Sequence, residues 1–142
     1  MAVFAVNRKA RFDYEILETY EAGIELFGFE VKAIKSGRVN LAGSFVVIKN
    51  GEAWLLNADI PPYQTKNTPA SYDPTRSRKL LLHKAEINEL IGKSAAKGLT
   101  LVPLRVYSKS SKIKLEFGLA RHKKKRDKRE KHERREKKTE SK

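Results

Sequence analysis

The amino-acid sequence predicts a mainly β protein: a small antiparallel OB-like β-barrel with two to three flanking α-helices and a basic, intrinsically mobile C-terminal tail. Three observations lead there. Short apolar runs of alternating or β-branched character recur with tight-turn signals between them, and the strand–helix–strand alternation of a parallel sheet is absent. One stretch, Leu80 to Lys97, carries the three- and four-residue steps of a longer amphipathic helix. Beyond Ala120 no aliphatic residue is left to anchor a core, so the folding unit is placed at 1–120 and the tail at 121–142.

Phe12, Tyr14 and Ile16 alternate with Asp13, Glu15 and Leu17, the period-two pattern of a half-buried strand. Gly23 interrupts before Ile24, Leu26 and Phe27 resume. That predicts a second strand, joined to the first at a turn or bulge around Glu21-Ala22-Gly23. Val31 and Ile34 lie one helical turn apart and Ser36-Gly37 supplies a stop, predicting a short helix over 29–35. From Ser44 to Leu56, β-branched and aromatic residues flank Asn50-Gly51, a pair suited to the positive φ angles of a type I′ hairpin turn. Pro61-Pro62 ends the second strand, and 63–78 reads as a long surface loop. In the helix predicted from Leu80, residues Ile87, Leu90, Ile91 and Ala95 share a face, Glu89 pairs with Lys93, and Gly98 closes the end. Leu99–Tyr107 and Ile113–Phe117 form two strands about a Ser-Lys-Ser-Ser turn. Pro103 lacks an amide donor, which places its strand at an edge or a bulge.

Charge narrows the function. The 142 residues hold 31 Lys/Arg against 17 Asp/Glu, a net +14, and 13 of those cations against 5 of the acids lie in 121–142. A segment so charged and so poor in apolar groups cannot bury enough surface to offset its ordering entropy, so it orders only on a polyanion. Nucleic acid is the leading partner class and an anionic membrane surface the next. The lack of cysteine excludes disulfides, thiolate chemistry and zinc-finger spacing. His122 and His132 lie in the tail and His83 stands alone. Metal-ligand spacing, a phosphate-binding glycine loop and a nucleophile elbow are all missing. The expectation is a binding protein, not an enzyme, with no metal and no cofactor. No apolar run nears the ~20 residues of a membrane span and the first residues lack a secretory pattern, so a cytoplasmic location is expected.

Three stretches suit binding. Asn7-Arg8-Lys9-Ala10-Arg11 clusters cations that can clamp phosphates, or it is a solvated basic arm. Pro74 to Leu82 couples Arg76, Arg78 and Lys79 to three leucines. These cannot all face one side of a helix, which leaves one exposed for stacking on bases. Glu21, beside Tyr20, reads on composition as an ordinary surface carboxylate. In the tail, Asp127→Lys131, Glu130→Arg134 and Glu133→Lys137 are acid-first pairs worth about 0.3–0.5 kcal/mol each, enough to bias a helix but not to hold one alone. Composition is equally compatible with a merely solubilising tail.

Several blocks together resemble the SsrA-binding protein (small protein B) family. They are Asn7-Arg-Lys-Ala-Arg-Phe-Asp-Tyr14, Tyr20-Glu-Ala-Gly-Ile24, Gly28-Phe-Glu-Val-Lys32, Asp73-Pro-Thr-Arg-Ser-Arg-Lys-Leu-Leu-Leu-His83, and Gly118-Leu-Ala-Arg121 with Asp127-Lys-Arg129. They occur in the family's order and span almost the whole chain. The resemblance implies an OB-like barrel gripping the tRNA-like domain of transfer-messenger RNA, with elongation factor Tu as a partner in delivery to a stalled ribosome. It implies that Asn7, Glu21 and Leu81 engage the RNA. Lys123, Lys124, Asp127, Lys128 and Arg129 would act as tail residues in the vacant messenger channel of the decoding site. Charge and position add Arg8, Lys9, Lys32, Arg76, Arg78 and Lys79. The chain departs from the family at His122, where Gly is usual, and at Arg126, where Tyr or His is common; the Arg126 guanidinium can still stack on a base. The competing readings are a general RNA- or ribosome-associated protein and, last, a membrane-surface protein.

Overall fold

Six strands close on themselves through antiparallel pairing. In the computed structural model, which describes residues 1–64, 66, 68–96 and 98–123, the ring runs β6 (Leu99–Lys109), β3 (Phe45–Lys49), β4 (Glu52–Leu56), β5 (Arg78–Leu81), β2 (Tyr14–Ile24) and β7 (Lys112–His122). Strand β7 then pairs back onto β6, and the short β1 (Val3–Val6) lies against the other edge of β6. Three helices accompany the sheet: α1 (Arg8–Asp13), α2 (Gly28–Lys35) and α3 (Lys84–Ser94). This is the mainly β, antiparallel arrangement that the sequence predicts. Inside it, Leu55, Leu80, Leu90, Leu104, Leu115, Phe117, Ile34 and Ile60 are fully buried. Each contributes about 1.5–3 kcal/mol relative to an exposed position.

Local turn chemistry explains the best-predicted pieces. Asn50 and Gly51 have φ of 54° and 74°, both positive as a type I′ turn requires, and they fold β3 onto β4 in register from Lys49↔Glu52 to Phe45↔Leu56. Helix α2 stops where predicted. Gly37 takes φ 85°, and the amides of Gly37 and Arg38 donate back to the Ile34 and Ala33 carbonyls at 2.9 Å each. Pro103 sits at a register shift of β6 against β7, the bulge alternative of the two expected.

Three expectations are corrected. First, Tyr14–Ile24 is one strand of 11 residues, not two strands joined at Glu21-Gly23. Gly23 continues the ladder, paired with Leu81 on one side and Lys114 on the other. The irregularity comes earlier, between Ile16 and Glu18, and Gly118 lies beneath it. A Cβ at Gly118 would sit 2.8 Å from the Ile16 side chain, so the close approach requires glycine. Second, Phe12 belongs to α1 and not to a strand, because Asn7 starts a helix there. Third, the helix expected from Leu80 begins only at Lys84, and Leu80 and Leu81 belong to β5. On a strand consecutive residues face opposite sides, so Leu80 is buried while Leu81 is 53% exposed. Strand β7 also runs through His122, two residues past the composition break at Ala120.

Candidate nucleic-acid interface

On the outside of the ring, β5, β2, β7 and β6 lie side by side. One transverse row reads Leu81, Gly23, Lys114 and Tyr107; next to it lie Glu21, Glu116 and Arg105. Gly23 has no side chain to stand between strands, and a Cβ there would meet the Leu81 side chain at 3.4 Å. Leu81 therefore lies over the sheet with half its surface in solvent. Leu81, His83, Lys84 and Lys114 line an open hollow of about 620 Å³ together with Lys79.

Glu21 is the fixed carboxylate of this face. The Tyr107 hydroxyl donates to its Oε2, and Lys109 Nζ donates to Oε1 at 3.4 Å. The Tyr107 hydrogen bond, helped by the charges of Lys109 and Lys114, holds the Glu21 carboxyl below its usual pKa. Burial, then the bond to Glu21, pushes the Tyr107 phenol up. The Arg105 guanidinium lies 4.5 Å from the Tyr107 ring centroid and bonds Glu116 at 3.3 Å. The result is an anionic acceptor ringed by Arg105, Lys109 and Lys114, none of which sequence reasoning singled out. Their signal was present: Arg105, Tyr107 and Lys109 alternate with Val106 and Ser108 along one strand.

At the other end of the ring, Asn7 does not offer its amide to solvent, being only 5% exposed. Its Oδ1 accepts the Ala10 amide at 3.2 Å, and its Nδ2 donates to the Pro103 carbonyl at 2.9 Å and the Leu41 carbonyl at 3.4 Å. The donor and acceptor of the Asn7 amide are thus engaged within the protein, where Asn7 caps the helix. Asn7 ties α1 to β6, and Arg8 and Lys9 are exposed on the first turn of that helix.

Arg78 is likewise turned inward. Its side chain is 0% exposed, and so is that of Glu30, its partner at 2.7 Å. All five guanidinium donors are used: Nε on Glu30, one terminal nitrogen on the Ala58 and Arg76 carbonyls, the other on Tyr72 Oη and the Pro74 carbonyl. Glu30 also accepts from Arg76, from the Phe27 amide at 2.8 Å and from the Tyr72 hydroxyl at 2.9 Å. Burial alone would raise the Glu30 pKa, but the bonds from Arg76, the Phe27 amide and Arg78 outweigh it and hold the carboxyl below its usual range. Burial and the bond to Glu30 push Tyr72 up to about 12. Arg76 sits at the rim of this node, a quarter exposed, with its guanidinium 4.2 Å from the Phe27 ring centroid.

Lys32 is exposed on α2, and Lys79 faces outward from β5, 3.5 Å from Glu52. Lys123 is tied to α1: its amide donates to the Asp13 carbonyl at 2.8 Å and its Nζ to the Arg11 carbonyl at 3.3 Å. Beside it the His122 ring meets Tyr14 edge-on at 5.0 Å. Lys124, Arg126, Asp127, Lys128 and Arg129 lie outside the described residues. Among the described residues no group of His, Asp and Glu could hold a metal ion.

These features define a class: a small, basic antiparallel ring whose outer strands set cations around a carboxylate fixed by a tyrosine, the surface chemistry suited to a polyanion. The profile of the family described as "SmpB protein" matches residues 4–142, and the chain belongs to that family. The SsrA-binding protein of Thermosynechococcus vestitus (strain NIES-2133 / IAM M-273 / BP-1) is 56% identical over 126 residues, 89% of this chain and 83% of that one. The SsrA-binding protein of Gloeothece citriformis (strain PCC 7424) is 59% identical over 122 residues, 86% of this chain and 79% of that one. A solved structure described as "tmRNA-SmpB: a journey to the center of the bacterial ribosome" superposes with a TM-score of 0.72 at 52% identity, covering 88% of this chain and 87% of its own.

Proposed function

We propose that this chain binds the tRNA-like domain of transfer-messenger RNA through the outer face of β5, β2, β7 and β6 and carries it to stalled ribosomes for trans-translation. The observation that carries this reading is the likeness to SsrA-binding proteins at 56% and 59% identity across nearly the whole folded ring. The chemistry of the face agrees with it. Leu81 offers an apolar surface to a base, Glu21 an acceptor for a base or sugar donor, and Lys109, Lys114 and Arg105 offer charge to phosphates. Arg8, Lys9, Lys32 and Lys79 extend the basic surface, while Asn7, Arg76 and Arg78 act by holding elements in place. Lys123, Lys124, Arg126, Asp127, Lys128 and Arg129 belong to the segment that occupies the empty messenger channel in place of codon–anticodon pairing, elongation factor Tu being the delivery partner. The activity is binding without catalysis, in the cytoplasm.

The test is binding to a tRNA-like-domain transcript and to ordinary tRNA across a salt series, for the whole chain and for a chain ended after Lys123. Ending it at 120 would remove the Arg121↔Glu15 and His122↔Tyr14 pairs of β7 and confuse folding with binding. If the face covers about five phosphates, affinity falls roughly 500-fold between about 50 and 200 mM salt. The expected result is a preference for the tRNA-like domain that survives truncation. Equal competition by ordinary tRNA overturns the reading in favour of a general RNA-binding protein.

A further inference from the structure

The outer face of the ring continues past β5 onto β4 and β3, where it carries an aromatic ring that nothing above uses. Along β4, Ala53 and Leu55 point inward and are buried, so Glu52, Trp54 and Leu56 point outward. Trp54 is half-buried between its cross-strand neighbours Val47 on β3 and Lys79 on β5. It has no ring partner, and its indole N–H has no hydrogen-bond acceptor, among the described residues. Open hollows lie on both sides of it. One, of about 250 Å³, is lined by Glu25, Leu26, Phe27, Arg76 and Lys79 with Trp54; the other, of about 430 Å³, includes Val47, Lys49, Glu52 and Leu56.

The wall of the first hollow is rigid. Arg76 is held by the buried Glu30 and covers the Phe27 ring, so Phe27 is already stacked. Phe27 is half exposed but engaged by both Arg76 and the Phe29 ring, 5.5 Å away, whereas the Trp54 ring has no such partner among the described residues. Lys79 and Lys49 flank it, and the acids Glu25 and Glu52 line the same hollows. Glu52 is engaged with Lys79 in an exposed pair, which water and salt weaken. Lys79 and Leu81 stand two residues apart on β5 and share its outer face, so this patch is continuous with the surface proposed to take RNA.

We infer that Trp54 is a base-stacking residue: an unpaired base of the bound RNA lies against its indole, with Lys79 and Lys49 on the adjoining phosphates. An RNA segment is favoured over a protein partner because the apolar members, Leu26, Phe27, Val47, Trp54 and Leu56, are set among the charges of Glu25, Lys49, Glu52, Arg76 and Lys79. That suits a flat base followed by its phosphate and is too little for a protein interface. The inference rests on the RNA reading above, and its test separates the two.

Trp54 is the only tryptophan in the chain, so its emission reports this patch in the unmodified protein. Anisotropy of an end-labelled tRNA-like-domain transcript follows binding, while Trp54 emission and its quenching by acrylamide are read in the same titration. The expected result is quenched emission and reduced acrylamide access, saturating with the anisotropy. Trp54→Ala is expected to bind on the order of 10-fold more weakly with an unchanged salt slope, and Trp54→Phe to restore most of the loss. Full binding with emission and acrylamide access unchanged overturns the inference and leaves the RNA reading standing. So does an emission change in the parent when Trp54→Ala, folded by circular dichroism, binds equally well. Absence of binding by anisotropy overturns both. Emission that depends on protein concentration without RNA assigns the patch to a second copy of the chain instead.

Discussion

Glu21 and Glu30 lie nine residues apart in the sequence and are held by the same chemistry, a tyrosine hydroxyl plus basic side chains, yet they end in opposite places. Glu30 accepts from Tyr72, Arg76, Arg78 and the Phe27 amide, and its side chain is 0% exposed. Glu21 accepts from Tyr107 and Lys109, and its side chain is 37% exposed. Around Glu30 the donors of Arg78 are all used, so the buried Glu30–Arg78 pair has nothing left to offer a partner. Around Glu21, Lys109 is 59% exposed and keeps donors for water or phosphate. The difference teaches that an ion pair becomes closed scaffold or open surface according to the capacity left over, and not according to which residues form it.

Removing Glu30 is the strongest way to break the comparison. Glu30→Ala leaves Arg78 charged, buried and unpaired, an expected loss of about 3–5 kcal/mol in chemical unfolding. A loss no larger than that of Glu21→Ala would show the two sites to be equivalent after all. Acid sharpens the contrast next. The folded-state pKa of Glu30 lies below its unfolded value, so the unfolded chain binds more protons in the acid range and stability rises with pH there. Its contribution is full above the ordinary carboxylate pKa and is lost as pH falls through the lower folded value. Urea midpoints taken from neutral pH downward should therefore drop more steeply for the parent than for Glu30→Gln. On the other side, Glu21→Ala takes the acceptor from the hydroxyl of the buried Tyr107 and is expected to cost about 1–3 kcal/mol, less than Glu30→Ala, while weakening binding of the tRNA-like transcript on the order of 10-fold. Lys109→Ala should have the smallest effect, a few-fold loss of affinity with a salt slope shallower by about one.

What was legible in the sequence was set by neighbours along the chain. The Asn50-Gly51 hairpin, the Gly37 stop and the Pro103 bulge each depend on the backbone preferences of one or two residues. What was not legible depends on distant partners. Gly23 looks like a stop, but it keeps the ladder because Leu81 and Lys114 of two other strands pair with it on either side. Leu80 to Leu82 look like the start of a helix until β4 and β2 capture Leu80 and Leu81 as a strand. Arg76, Arg78 and Lys79 are three cations within four positions, and nothing local sorts them. Glu30, 48 residues before Arg78, pulls one inside and pins another at the rim, leaving Lys79 to face solvent. The cations Arg105, Lys109 and Lys114 of β6 and β7 were not legible because none of them has a basic neighbour in the sequence.

The ring is not equally sewn all the way round. Strands β6 and β7 pair along their whole length, whereas β3 meets β6 only at Val46↔Leu101. Helix α3 packs against both strands at that thin closure. The rest of that β6 edge is taken by Asn7 and β1, so the open margin is that of β3, and a strand edge with few partners is the place where a sheet recruits a stranger. Helix α3, its own Leu90 wholly buried, therefore works as a shutter over an adhesive margin. A chain in which this helix is loosened, with every RNA-facing residue intact, would fail first by sticking to its own copies.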